Sequence, residues 1–151
     1  MKTLTSVFAG VLAAFVLFGT PTVAEEATDD RAQVERAVLD YVEGIYEVKP
    51  ELIERSVHPD LVKFGFARRS PEDDWRVIPM SYERLVELAG EYYAQAGGAP
   101  ADAPKKVEIL DVLNQTASAK LTASWGVDYF HLAKYDGRWK IVHVLWQSVD
   151  D

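Results

Sequence analysis

A chain of 151 residues suits a single domain. Its formal net charge of −8 argues against a broad basic face for nucleic acid or an anionic membrane. The absence of cysteine rules out a disulfide framework, a thiol nucleophile and a lipidated cysteine, so an apolar core must hold the fold, and a composition that is 48% hydrophobic can supply one.

The first segment reads as a leader rather than as part of that domain. Lys2 supplies a short positive region, Val7 to Phe18 is an almost unbroken apolar run, and Thr22-Val23-Ala24 offers the small residues that a signal peptidase reads. Cleavage is expected after Ala24, leaving residues 25–151 as an exported domain, periplasmic or secreted. The apolar run is too short for a comfortable bilayer span, so no membrane attachment is expected once it is removed.

Behind a polar cap at Thr28-Asp29, residues Val34, Ala37, Val38, Tyr41, Val42, Ile45 and Tyr46 recur at the three-and-four spacing of an amphipathic helix, predicted from Asp30 to Glu47. A short helix restarts at Lys49-Pro50-Glu51 and runs to about Val57, where His58-Pro59-Asp60 stops it. Leu61 to Arg68 alternates Val62, Phe64 and Phe66 against Lys63, Gly65 and Ala67, which predicts a strand with the aromatic set buried. A charged turn leads to a short strand at 75–78. Ser81 then caps a third helix carrying Leu85, Val86, Ala89, Tyr92, Tyr93 and Ala96, stopped by Gly97-Gly98. After a proline-rich loop, strands are predicted at 105–114, 117–125, 127–135 and 138–147. Helices gathered before a run of long strands argue for an α+β domain with its helices over one face of a curved sheet.

Asp136-Gly137 favours a two-residue type I′ turn. An unbroken register from that turn sets Phe130 opposite His143 and Asp128 opposite Leu145. Asp128, Phe130, Leu132, Trp139, Ile141, His143 and Leu145 then share one face, and Val127, Tyr129, His131, Ala133, Val142, Val144 and Trp146 the other. His143 and Asp128 become diagonal neighbours, able to act as general base and orienting carboxylate. The same register separates His131 from His143. With no cysteine available either, no metal site is expected, and no motif for a cofactor is present.

The helix, the short helix ending in His58-Pro59-Asp60, the third helix, and the closing segment Asp128-Tyr-Phe-His-Leu-Ala-Lys-Tyr-Asp-Gly-Arg-Trp-Lys-Ile-Val-His-Val-Leu-Trp146 resemble the nuclear transport factor 2-like cone fold. Within it they are closest to the family named "putative lumazine-binding". The resemblance spans nearly all of the mature chain. It implies a cone-shaped roll with three N-terminal helices packed on the concave face of a curved, mainly antiparallel sheet. It also implies that the face bearing Trp139 and Ile141 is concave, that His58 and Asp60 stand near the cavity mouth, and that the ligand is a lumazine-like or other flat heteroaromatic molecule.

The candidate ligand-binding set is therefore Tyr41, Ile45, Phe64, Phe66, Tyr92, Phe130, Trp139, His58 and Asp60, with Asp128 and His143 as the candidate catalytic pair. Three functions stay open. One is an exported small-molecule-binding protein. Another is a cofactor-independent lyase, isomerase or hydrolase using the His/Asp pair, and the third is a non-catalytic envelope interaction module. The second sheet face, with Tyr129, His131, Val144 and Trp146, is expected to form a homodimer.

Overall fold

The structure, a computed structural model, describes residues 23–149, with side chains from Asp29 onward. The expected leader lies outside the described residues, apart from Val23 and Ala24. Among the described residues no helix is long and apolar enough to cross a membrane.

Helix α1 (Val23–Tyr46) and helix α2 (Pro50–Ser56) lead into strand β1 (Val57–Ala67) and strand β2 (Arg76–Met80). Helix α3 (Tyr82–Glu91) and a short 3-10 turn (Ala94–Ala96) follow, and then strands β3 (Lys105–Val112), β4 (Thr116–Ala123), β5 (Gly126–Tyr135) and β6 (Arg138–Gln147). The six strands form one open sheet in the order β2-β1-β6-β5-β4-β3. Only β1 and β6 run parallel; every other pair is antiparallel. The domain is thus the expected α+β fold, three helices against a mostly antiparallel sheet.

The predicted periodicities hold where the chain is regular. Val34, Val38, Tyr41, Val42 and Ile45 form the buried stripe of α1, the arrangement that lets a helix shed apolar surface against a sheet. Pro50 opens α2 at a position where its missing N–H costs no hydrogen bond. The Ser81 hydroxyl accepts the Arg84 N–H at 3.2 Å and so caps α3. Asp136 (φ 49°) and Gly137 (φ 75°) are both left-handed, as a type I′ turn requires.

Two irregularities overturn the expected facing of side chains. Tyr135 does pair with Arg138 and Leu132 with Ile141, but His131 then pairs with His143, leaving Val142 as an extra residue in β6. Such a bulge shifts everything beyond it by one position. Val144 and Trp146 therefore point inward with Asp128 and Phe130, while His143 and Leu145 move to the convex face. The second irregularity lies in β1, which begins at Val57 rather than Leu61. His58 to Leu61 are opposed on β6 by Val142 alone, as the missing N–H of Pro59 disfavours regular pairing. Beyond that break Leu61, Lys63 and Gly65 are buried on the inner face, and Val62, Phe64 and Phe66 look outward, the reverse of the phase that their hydrophobicity predicts.

Candidate functional site

A cavity of about 130 Å³ lies between the inner face of the sheet and α3. From α1 come Tyr41 and Ile45, from β1 Lys63, and from β6 Trp146. Trp125, in the turn between β4 and β5, closes one side. Leu85 and Leu88 of α3, Tyr92 just past its end and Met80 at the end of β2 close the other, and the half-exposed Tyr92 marks the rim.

Charge enters this apolar space at one place. Lys63 is 7% exposed and Asp128 is fully buried. The Lys63 Nζ donates to the Tyr41 hydroxyl at 2.8 Å and faces Asp128 Oδ1 across 3.5 Å, the separation of an ion pair rather than of a good hydrogen bond. Asp128 Oδ2 accepts the Trp125 indole N–H at 2.6 Å. Burial lowers the pKa of Lys63 even though Asp128 pulls it upward. Burial likewise raises Asp128 against the pull of Lys63 and Trp125, and it raises Tyr41 well above the ordinary phenol range, helped by the Asp128 charge. Each shift favours the uncharged form, as expected where water is excluded.

The supporting contacts explain why these groups stand where they do. Trp146 lies directly against Gly65: a Cβ there would sit 2.3 Å from the indole, so only glycine leaves room for the ring. The Trp125 turn is held by Tyr46, whose hydroxyl accepts the Ser124 N–H at 2.8 Å and donates to the Pro104 carbonyl at 2.7 Å. Tyr41 packs edge-on against Phe130 at 5.1 Å and Trp125 at 6.4 Å between ring centroids, which fixes its hydroxyl over Lys63.

Of the expected ligand-binding residues, Tyr41, Ile45 and Tyr92 line the cavity. Phe130 and Trp139 are buried core instead, and the Trp139 indole donates to Asp30 at 3.0 Å. Phe64 and Phe66 lie on the outward side of β1, where Phe64 meets His143 edge-on at 6.1 Å. His58 stacks on Tyr135 at 4.4 Å, and the Asp60 N–H donates to its Nδ1 at 3.2 Å, so both serve the irregular start of β1 and neither lines the cavity.

The proposed catalytic pair is not formed. Asp128 lies behind the cavity wall, against Lys63 and Trp125, and the Val142 bulge places His143 on the convex face, stacked on His131 at 5.3 Å. The same shift corrects the separation expected for the two histidines. It also removes Val144 and Trp146 from the outer face, where Tyr129 and His131 remain. Among the described residues no group of three or more His, Asp or Glu is placed to hold a metal ion.

Six lining residues were absent from the expected set: Lys63, Trp125 and Trp146, and the apolar Met80, Leu85 and Leu88. Lys63 alternates with large apolar residues, so periodicity assigns it to solvent. The available signal was Asp128 itself, because a carboxylate among core residues needs a cationic or hydrogen-bonding partner.

The family model described as putative lumazine-binding matches residues 29–147, from α1 to the last residue of β6. No match is found among curated proteins. Among solved structures, an NTF2-like protein of unknown function from Shewanella baltica OS155 superposes with a TM-score of 0.68 at 15% identity, covering 87% of this chain and 100% of its own. Another from Silicibacter pomeroyi DSS-3 gives 0.62 at 14% identity, over 81% of this chain and 98% of its own. A protein from Novosphingobium aromaticivorans DSM 12444 described as a putative scytalone dehydratase gives 0.54 at 14% identity, over 84% and 89%. At such identities the likeness is one of fold.

Proposed function

The chain belongs to the family described as putative lumazine-binding, and on that premise we propose that it binds a small, flat, largely apolar molecule in the cavity beneath α3. The observation that carries this reading is the union of aromatic walls with one buried polar cluster, Lys63, Asp128 and Tyr41. A concave apolar site with a few converging polar groups suits a ligand that stacks on Trp146 or Tyr41 and presents one polar atom to Lys63. A buried ion pair is weak as a device for stability alone, since well-packed apolar residues often do as well.

Size narrows the class. An apolar cavity of ~150 Å³ takes a benzene, so about 130 Å³ accepts one ring. A bicyclic heteroaromatic such as a lumazine would keep its second ring at the Tyr92 rim. Should the site also catalyse, its acid and base groups are Lys63, Asp128 and Tyr41 rather than His143.

We further infer export, on the leader pattern of Lys2 and Val7 to Phe18, and a homodimer formed through the convex sheet face around Tyr129 and His131. Native mass spectrometry of protein taken from its own envelope fraction tests these readings together. The expected spectrum is a dimer whose subunits begin at Glu25 and retain one small aromatic compound each. A monomer with an intact leader and no capacity to take up flat aromatic compounds would overturn them.

A further inference from the structure

Lys63 is placed unlike the other described lysines. Lys134, Lys105 and Lys49 reach carboxylates at Asp30, Glu43 and Glu47, and Lys140 reaches the carbonyls of Glu54 and Arg55. Lys106 and Lys120 flank Glu108 on the exposed side of the sheet. Lys63 instead forms part of a cavity wall, with its Nζ 5.5 Å from the Tyr41 ring centroid and 5.4 Å from that of Trp146. Its polar partners are the Tyr41 hydroxyl and Asp128. An amine nitrogen has three positions beyond its carbon, so two partners leave the third for an occupant of the cavity.

The geometry points to Lys63 as a nucleophile, whose Nζ condenses with the carbonyl carbon of a small aromatic or conjugated aldehyde or ketone held in the cavity to form an imine. This assignment rests on the cavity being a ligand site. The nucleophile is the neutral amine, and burial favours it: passing a proton from Lys63 to Asp128 exchanges two buried charges for two neutral groups, the direction in which burial drives both against their mutual attraction.

The step closes with the groups present. The Nζ lone pair forms the C–N bond while the carbonyl π pair moves to oxygen, which takes a proton from the Tyr41 hydroxyl as the new ammonium nitrogen returns one to it. Asp128 then gives its proton to the nitrogen, and the Tyr41 hydroxyl relays one from the nitrogen to the carbinolamine hydroxyl. The C–O bond breaks, water leaves, and the nitrogen lone pair closes the C=N bond. What remains is a protonated imine facing the Asp128 carboxylate, one carbonyl compound having been consumed and one water released. The faces of Tyr41 and Trp146 stabilise that cation, and the Tyr41 hydroxyl can steady the oxygen during the addition.

The test uses benzaldehyde with sodium cyanoborohydride on the full chain at near-neutral pH, and peptide mass mapping of the reduced adduct. In parallel, ligand-observed NMR follows the binding of benzyl alcohol, which fits the same space and cannot form an imine. The expected result is a benzyl adduct at Lys63 forming about tenfold faster than at exposed lysines such as Lys106, because the cavity holds the aldehyde against an amine that burial shifts toward its neutral form. Lys63→Met should lose that adduct. Benzyl alcohol binding with no preferential label at Lys63 overturns the imine and leaves the binding reading standing. Neither binding nor label overturns both. The mapping on the unaltered chain decides the matter even if the variant does not fold.

Discussion

Lys63 and Asp128 set the terms at the scale of single residues, because each is tolerable in the interior only through the other and through Tyr41 and Trp125. Truncating one member of a buried pair strands its partner, at a cost of roughly 3–5 kcal/mol. Lys63→Met and Asp128→Asn should each lower the unfolding free energy obtained from a urea titration by that order. The double variant, which buries no net charge and keeps an acceptor for the Trp125 indole, should lose far less than the sum. Additive losses would mean that the two groups do not support one another. Asp128 and Tyr41 were legible in the sequence, one as an acid among core residues and the other through helical periodicity. Lys63 was not, since a lysine between Val62 and Phe64 has the pattern of a solvated position whichever way the strand turns.

The boundaries of the β5–β6 hairpin follow from Asp136-Gly137 and the aromatic runs on either side, so the element itself was readable to within a residue or two. Its register was not. A bulge at Val142 carries no glycine or proline to announce it, and a β-branched residue there looks like any other strand position. Its consequence is the stacked His131–His143 pair. Burial, and then the neighbouring His131, lower the pKa of His143 below 6.5. An unfolded chain therefore takes up this proton more readily than the folded one, and stability rises with pH across the window between the two values. The urea midpoint should be insensitive to His143 above about pH 6.5, fall as pH drops through that window, and level off below it. His143→Gln should flatten this stretch of the profile, and identical slopes in the two proteins would remove the effect from His143.

For the molecule as a whole, the helices cover one face of the sheet and leave the other to be accounted for. Val62 and Tyr129 are 55% and 49% exposed there, beside the half-buried Phe64 and Leu145. Large apolar groups gathered on one face commonly mark a contact surface. If the face joins two copies, Tyr129→Asp should convert a dimer to a monomer in sedimentation velocity without altering the far-ultraviolet circular dichroism. A monomeric unaltered protein across the same concentrations would rule the interface out. The α+β class was legible because helix-forming and strand-forming patterns are segregated along the chain. The facing was legible along β5 and in β6 as far as Ile141, and it failed in β1 and in the rest of β6, where two irregularities meet at Val142 and reset the phase on both sides of it.

The distribution of tryptophans has an optical consequence. Of the four in the chain, Trp125 and Trp146 line the cavity. Trp139 is shut in the core with its indole N–H on Asp30, and Trp75 lies at the surface under the Arg68 guanidinium at 4.6 Å. The protein thus carries a two-indole gauge inside the cavity and two internal references outside it. Anything that enters, leaves or changes the charge on Lys63 and Asp128 alters the field at the first pair while the second pair keeps its surroundings, so the emission spectrum itself registers occupancy without an added dye.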